Sequence, residues 1–271
     1  MVSAATYSSI LLGNIRISYL PDGYILFNPM ALFPTTSAAD WQPYQHLLDS
    51  NGQLVGSLGA YLLQTPGKAI LVDNGFGPRS YEGDRFKAYG GELLSNLERA
   101  GLKPADIDIV FFTHMHSDHV GWSGHKANGK QVLTFPNARH LVRNAEWLRF
   151  DNPEEKKARA SVADELNLLG QHIEFLEEGE YITPEVRILA TPGHTPGHAS
   201  LLVTAGDERA IILGDIFHSI LQIEHPEWTN AFDRDPEQAK TVRRRMLQEL
   251  AKPSITGGAT HVADSVFISL S

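Results

Sequence analysis

The chain has no cysteine among its 271 residues. Disulfides, thiolate metal ligands and a cysteine nucleophile are therefore excluded, and any metal must be held by His, Asp or Glu. Such ligands suit zinc, and also iron, manganese or cobalt. No run approaches the ~20 apolar residues that span a bilayer, so no membrane partner is expected. A basic start is also missing: the first apolar stretch, Ile10-Leu11-Leu12, stops at Gly13-Asn14. That predicts no secretory leader and a cytoplasmic location. Positive charge is scarce, with 23 Lys and Arg against 32 Asp and Glu and a formal net charge of −9. An acidic surface repels phosphate backbones, which argues against nucleic acid as a partner. The densest basic stretch, "VRRR" at Val242–Arg245, reads as the solvated face of a helix. There is no internal repeat, no low-complexity tract, and no G-x-G-x-x-G after a strand.

Hydrophobic residues make up 42% of the chain and charged residues 20%. This is an ordinary globular composition, and the chain reads as a single domain over 1–271. "IRISYLPDGYILF" places Pro21-Asp22-Gly23 between two β-prone runs and predicts a hairpin there. "GAYLLQTPGKAILVDNG" repeats that pattern around Pro66-Gly67. Residues 28–53 lack clear periodicity and read as a long loop with one helical turn, the kind of segment that often forms a lid or binding wall. Leu93, Leu94, Leu97 and Ala100 recur at helical spacing, with Gly101 as a stop. The strand "IDIVFFT" follows, then mostly helix from about Arg143 to Gly170, interrupted near Asn152-Pro153. Strands return at "VRILAT", "ASLLVTA" and "RAIILGD". A helix capped by Asp235, with Pro236 in its first position, precedes a last strand "SITGG". Sheets with helices on their outer sides predict an α/β fold, a four-layer αββα sandwich. An open Rossmann-like sheet is the alternative that periodicity alone leaves.

Directly after "IDIVFF" comes "THMHSDHVG", with His114, His116, Asp118 and His119 in six positions. Alternate residues of an extended segment point the same way, so His114 and His116 can reach one metal together. Asp118 and His119 follow a turn and can face a second point, as a two-metal hydrolytic centre requires. The plainer reading, histidines with local hydrogen bonds, suits a lone residue better than four groups leaving one strand. Three more stretches bring similar residues to strand ends: "TPGHTPGH" with His194 and His198, "GDIFH" with Asp215 and His218, and "GGATH" with His261. Strand ends are where α/β folds gather active-site groups.

This ordered set resembles the metallo-β-lactamase superfamily, over roughly Tyr61 to His261. The resemblance implies the αββα fold and two divalent metal ions, zinc being the expected pair. It implies that His114, His116 and His194 hold the first metal, that Asp118, His119 and His261 hold the second, and that Asp215 bridges them. A hydroxide between the metals would then attack the substrate. Asp118 and His218 are the candidate catalytic residues. His198, the second histidine of the Pro-Gly loop, reads as a structural residue or one whose hydrogen bond orients a ligand, and by the resemblance Asp73 supports the metals by hydrogen bonding. His46, His125, His140, His172 and His225 show no partner pattern. Phe33, Trp41, Met30 and Trp122 either line a pocket or pack in the core.

The absence of cysteine sets aside lactamases with a cysteine ligand, and Asp215 and His116 fit poorly with branches that lack them. Only 271 − 215 = 56 residues follow Asp215, too few for the helical domain of glyoxalase II. What remains is similar to the lactonase and organophosphate-hydrolase branch. The expected substrate is a small ester or lactone, with a phosphotriester as the alternative. A non-catalytic metal-binding module and an iron-dependent oxidase are the readings of another class. Compact lactonases of this branch carry Tyr three residues after the bridging Asp, where this chain has His218. That replacement leaves two readings: His218 reaches the substrate oxygen and donates a hydrogen bond or proton to it, or it packs beside the metals. The tail after His261 is short, which predicts either a more exposed second metal or completion by a partner subunit; a homodimer is compatible with the family.

Overall fold

The computed structural model describes residues 2–270. Its central strands are apolar on both faces, which is what a sheet covered on both sides demands. In Ile15–Phe27, Leu54–Thr65, Lys68–Val72 and Ile109–Phe111, alternate residues divide between two cores. Ile17, Tyr19, Leu63, Ile70, Val72 and Phe111 face inward against Ile188, Leu201, Val203 and Ile212 of a second sheet. Leu20, Leu62, Leu71 and Val110 face outward and pack under Leu93, Leu97, Leu166 and Leu169 from helical segments. The second sheet is covered in turn by Val242, Met246 and Leu250 of the helix Pro236–Leu250. The layers are therefore helix, sheet, sheet, helix, and the open-sheet alternative falls. Each of these large apolar side chains stabilises the fold by roughly 1.5–3 kcal/mol when fully buried.

The first sheet has nine strands, in the order Ile173–Leu176, Arg139–Arg143, Ile109–Phe111, Lys68–Val72, Leu54–Thr65, Ile15–Phe27, Phe86–Tyr89 and Ser80–Glu82, with Ser8–Leu12 also paired to Ile15–Phe27. The second has six, from Tyr181–Thr183 through Val186–Ala190, Ala199–Ala205, Glu208–Gly214 and Ile255–Ala259 to Phe267–Ile268. Among the described residues no helix is long and apolar enough to cross a membrane.

Three expectations need correction. Pro21-Asp22-Gly23 is not a turn but a bulge inside the continuous strand Ile15–Phe27; the hairpin turns at Gly13-Asn14 instead. The bulge seats the buried Asp22 carboxylate, which accepts the backbone N–H groups of Phe76, Gly77, Gly91 and Leu93 and the indole N–H of Trp122. A proline in a paired strand needs such an irregularity, because it has no N–H for the ladder.

The "VRRR" stretch is not wholly solvated. Ala239, Arg243, Met246 and Leu250 share the inner face of their helix, and Arg243 is fully buried. Its guanidinium donates to the carbonyls of Ile216, Pro226 and Trp228 and meets Asp233 at 3.4 Å.

Residues 28–53 hold two short helical segments, Pro29–Leu32 capped by Asn28 and Gln42–Leu47. Phe33 and Trp41 are buried against Trp228, with ring centroids 5.7 and 5.6 Å from it. Tyr44 Oη lies 2.7 Å from Nε2 of His225, whose ring stacks on Trp228. His225 thus has partners that its sequence context did not show. Phe33, Trp41 and Trp122 are core residues, whereas Met30 is exposed.

Candidate metal centre

The centre lies where strands of both sheets end. Ile109–Phe111 leads to His114, His116, Asp118 and His119. Ala199–Ala205 starts just after His194 and His198, Glu208–Gly214 ends at Asp215, and Ile255–Ala259 ends two residues before His261. All seven ligand candidates from the sequence come together. The facing nitrogen and oxygen atoms of His114, His116, His194 and Asp215 form one group, and those of Asp118, His119 and His261 form another; within each group the atoms lie within 4.8 Å of one another. A third group joins Asp215, His218 and His261.

Distances show how tightly the atoms converge. Nδ1 of His116 lies 3.1 Å from Nε2 of His114 and 3.0 Å from Nε2 of His194. Oδ2 of Asp215 lies 3.5 Å from Nε2 of His114, 3.3 Å from that of His194 and 3.2 Å from that of His261. Oδ2 of Asp118 lies 3.8 Å from Nε2 of His119 and 3.5 Å from that of His261. Asp215 therefore stands between the groups.

The far side of each ring explains why these nitrogens face inward. Nδ1–H of His119 donates to Oδ2 of Asp73 at 2.8 Å, and Nδ1–H of His261 donates to the carbonyl of Ser57 at 2.9 Å. Asp233 Oδ1 accepts from Nδ1–H of His194 at 3.2 Å. The Thr113 hydroxyl gives its proton to Asp73 and so accepts from Nδ1–H of His114. In the neutral form of all four rings this leaves Nε2 with a free lone pair toward the centre, the arrangement that metal-binding histidines require.

Two atoms show what the centre lacks when only protein is counted. His119 Nε2 and Asp215 Oδ1 are buried and lie 3.1 Å apart, yet are not aligned as a hydrogen bond and have no other partner. Buried polar atoms left unpaired are costly, and a cation among converging lone pairs satisfies them. The donor set of imidazoles and carboxylates fits divalent metal ions, so this is a metal-binding site of dinuclear geometry.

Burial and charge set the protonation of the rings. Burial, reinforced by neighbouring histidines, holds His114 and His116 well below the usual imidazole range. Burial also opposes a charge on His119, but Asp215, Asp73 and Asp118 outweigh it and raise that ring well above the range. His261 is raised in the same way, burial being overcome by Asp215 and Asp118. The Asp215 carboxyl is disfavoured as an anion by burial, yet the surrounding rings, His119 first, hold its pKa well below the carboxylate range.

Residues 59–254 match the family model of the metallo-beta-lactamase superfamily, well over half of the chain. The chain belongs to the metallo-beta-lactamase superfamily. Among its relatives, an N-acyl homoserine lactonase from Bacillus sp is 30% identical over 167 residues, 56% of this chain and 60% of the relative. The lactonase AttM of Rhizobium radiobacter is 26% identical over 171 residues, 56% of this chain and 62% of that one. The chain thus spans about 60% of the length of such relatives. Among solved structures, the hydrolase AbOPH superposes with a TM-score of 0.79 at 29% identity, covering 96% of this chain and 91% of its own. AidC, a dizinc quorum-quenching lactonase, superposes at 0.81 with 24% identity, covering 98% and 93%.

Within the superfamily site, several supporting residues had no signal in the sequence. Glu146 is buried in a segment read only as helix. One of its carboxylate oxygens accepts the Met115 N–H at 3.0 Å and the Arg149 Nε–H at 2.7 Å; the other accepts the Thr195 hydroxyl at 2.6 Å. It thereby ties the His114–His116 segment to the loop of His194. Asn230, Phe232 and Asp233 sit near His218 and His194, in a stretch that resembles hydrolases of this branch without assigning these three residues a role. His198 does support a neighbour. Its Nδ1–H donates to the Thr191 carbonyl and its Nε2 accepts the Asp215 N–H at 3.0 Å, a contact that the missing side chain of Gly214 leaves room for. Asp73 turns its carboxylate under His119 and Thr113 from a left-handed backbone, φ 61°. In the second group His119 and His261 are buried and only Asp118 is partly open.

Proposed function

We propose that this chain is a dinuclear hydrolase, with zinc as its metal, that cleaves a small neutral ester or lactone. The observation that carries this reading is the closed set of seven inward-facing ligand atoms with His218 beside it. His114, His116 and His194 would hold one metal, and Asp118, His119 and His261 the other, with Asp215 shared. When bound, the metal pair supplies Lewis acidity and lowers the pKa of coordinated water toward ~7.

The chain's own residues do the rest. Nε2 of His218 lies 3.3 Å from Oδ2 of Asp215 and belongs to the group with His261. That position supports a role in donating a hydrogen bond to a substrate oxygen as negative charge develops there. Burial lowers the ring's pKa to about 4, so it is neutral at working pH and donates without carrying a charge. Arg79, Arg149 and Arg243 are each engaged by backbone carbonyls and carboxylates. None is free to seat an anionic group, which supports a neutral substrate. The named lactonase relatives support a lactone. Phosphotriesters are neutral too, and are the second class to test.

The deciding experiment is a hydrolysis screen of lactones, aryl esters and phosphotriesters on protein of measured metal content. Turnover of lactones or esters above phosphotriesters is the expected result. A fully metallated protein inert toward all three classes would remove the hydrolase reading and leave a binding module, while a coloured, redox-active iron form would point to an oxidase.

A further inference from the structure

His218 differs from the histidines around it in what its Nδ1 meets. His114, His119, His194 and His261 each give an Nδ1 proton to an oxygen acceptor. Nδ1 of His218 instead faces Nδ2 of Asn230 at 3.1 Å. An amide nitrogen can only donate. Which end of the Asn230 amide is nitrogen is fixed by its other contacts. Oδ1 accepts the N–H of Phe232 at 2.8 Å, and Nδ2 also donates to Oδ1 of Asp233 at 3.0 Å. A flipped amide would set its NH2 group against the Phe232 N–H and its carbonyl against the Asp233 carboxylate. Asp233 is itself anchored, through Oδ2, by the Asn230 N–H and the buried Arg243. The ring therefore presents a lone pair at Nδ1 and its proton at Nε2.

We infer that Asn230 is a positioning residue that locks His218 in the Nε2–H tautomer, making it a hydrogen-bond donor to substrate and barring it from the metals. The bar matters because His218 Nε2 lies among atoms that could otherwise complete a ligand group with Asp215 and His261. A ring nitrogen that carries a proton has no lone pair in the ring plane to give a cation. Asn230 thus separates the donor from the ligands where distance does not. The donor half of this inference rests on the proposed hydrolase reading; the tautomer half does not.

The test is nitrogen-15 NMR of the imidazoles in zinc-loaded protein, with turnover measured beside it. In the unaltered protein, His218 should show a protonated Nε2 and an unprotonated Nδ1, the reverse of His114, His119, His194 and His261. Asn230→Asp keeps an acceptor for the Phe232 N–H but offers a carboxylate oxygen to Nδ1. It should flip His218 to the Nδ1–H tautomer and lower kcat by about 10²-fold, with KM changing less. Asn230→Ser, which removes the amide, carries the same test if the first variant does not fold; it should leave mixed tautomers and an intermediate kcat. An Nδ1–H ring in the unaltered protein, or an unchanged ring in Asn230→Asp, overturns the inference. A flipped ring with unchanged kcat upholds the tautomer lock and overturns the donor role.

Discussion

Oδ2 of Asp73 lies 2.8 Å from Nδ1 of His119, and the same carboxylate holds the backbone N–H and hydroxyl of Thr113. One residue from the end of an early strand thus orients His119 directly and His114 through Thr113. Carboxylates behind metal-bound imidazoles fix ring orientation and raise basicity, and their loss typically costs 10–100-fold in metal affinity. Asp73→Asn should weaken binding at the His119 group by about that factor, measured by competition with a chelating dye. Unaltered affinity for both metals would refute the orienting role.

Glu146 should behave as a clamp between two loops. Removing it leaves the buried Arg149 with Glu155 as its remaining carboxylate, and breaking a buried pair typically costs about 3–5 kcal/mol. Glu146→Ala should lower the unfolding free energy of the metal-free protein by about that amount in denaturant titration. Metal affinity should fall at the His114–His116–His194 group more than at the other. A stability loss shared equally with an exposed control such as Glu174→Ala would count against the clamp.

Metal uptake should be unequally coupled to pH. Without metal, Asp215, Asp73 and Asp118 outweigh burial and raise His119 well above the usual imidazole range, and Asp215 and Asp118 raise His261 as well, whereas burial holds His114 and His116 well below it. A ligand must lose its proton to bind. Loading the His119–His261 group therefore releases protons, and its affinity falls as pH drops through those raised values; His114 and His116, already neutral, add no such release. Calorimetry in buffers of different ionisation enthalpy should resolve two binding events with different proton release. Equal release from both would contradict the assignment.

His218→Ala should lower kcat by about 10²-fold, the usual effect of losing one donor to a developing oxyanion, with the metal content unchanged by elemental analysis. Unchanged turnover on every active substrate would sink the donor role.

The parts of the fold legible in the sequence are those governed by local pattern. Strand alternation, the Asp235 cap and the H-x-H-x-D-H spacing each concern residues near one another in the chain. Arg243 and Asp22 show the limit. Each is a charged residue whose burial is made favourable by partners up to a hundred positions away, as with Trp122 and Asp22. Glu146 and Asn230 were invisible for the same reason. Neither residue type is rare, and their roles come from which backbone amides and rings the fold brings to them. His198 was readable because a loop of proline and glycine placed it beside a known ligand candidate.

The contact of Tyr44 with His225, together with the tilted packing of Phe33 and Trp41 on Trp228, joins two stretches of chain far apart in sequence. The second stretch also carries Asn230 and Phe232. Residues 28–53 and 225–233 are therefore packed against each other. A change in the length of the N-terminal loop would act first on the packing around Trp228, two residues before Asn230 in the chain.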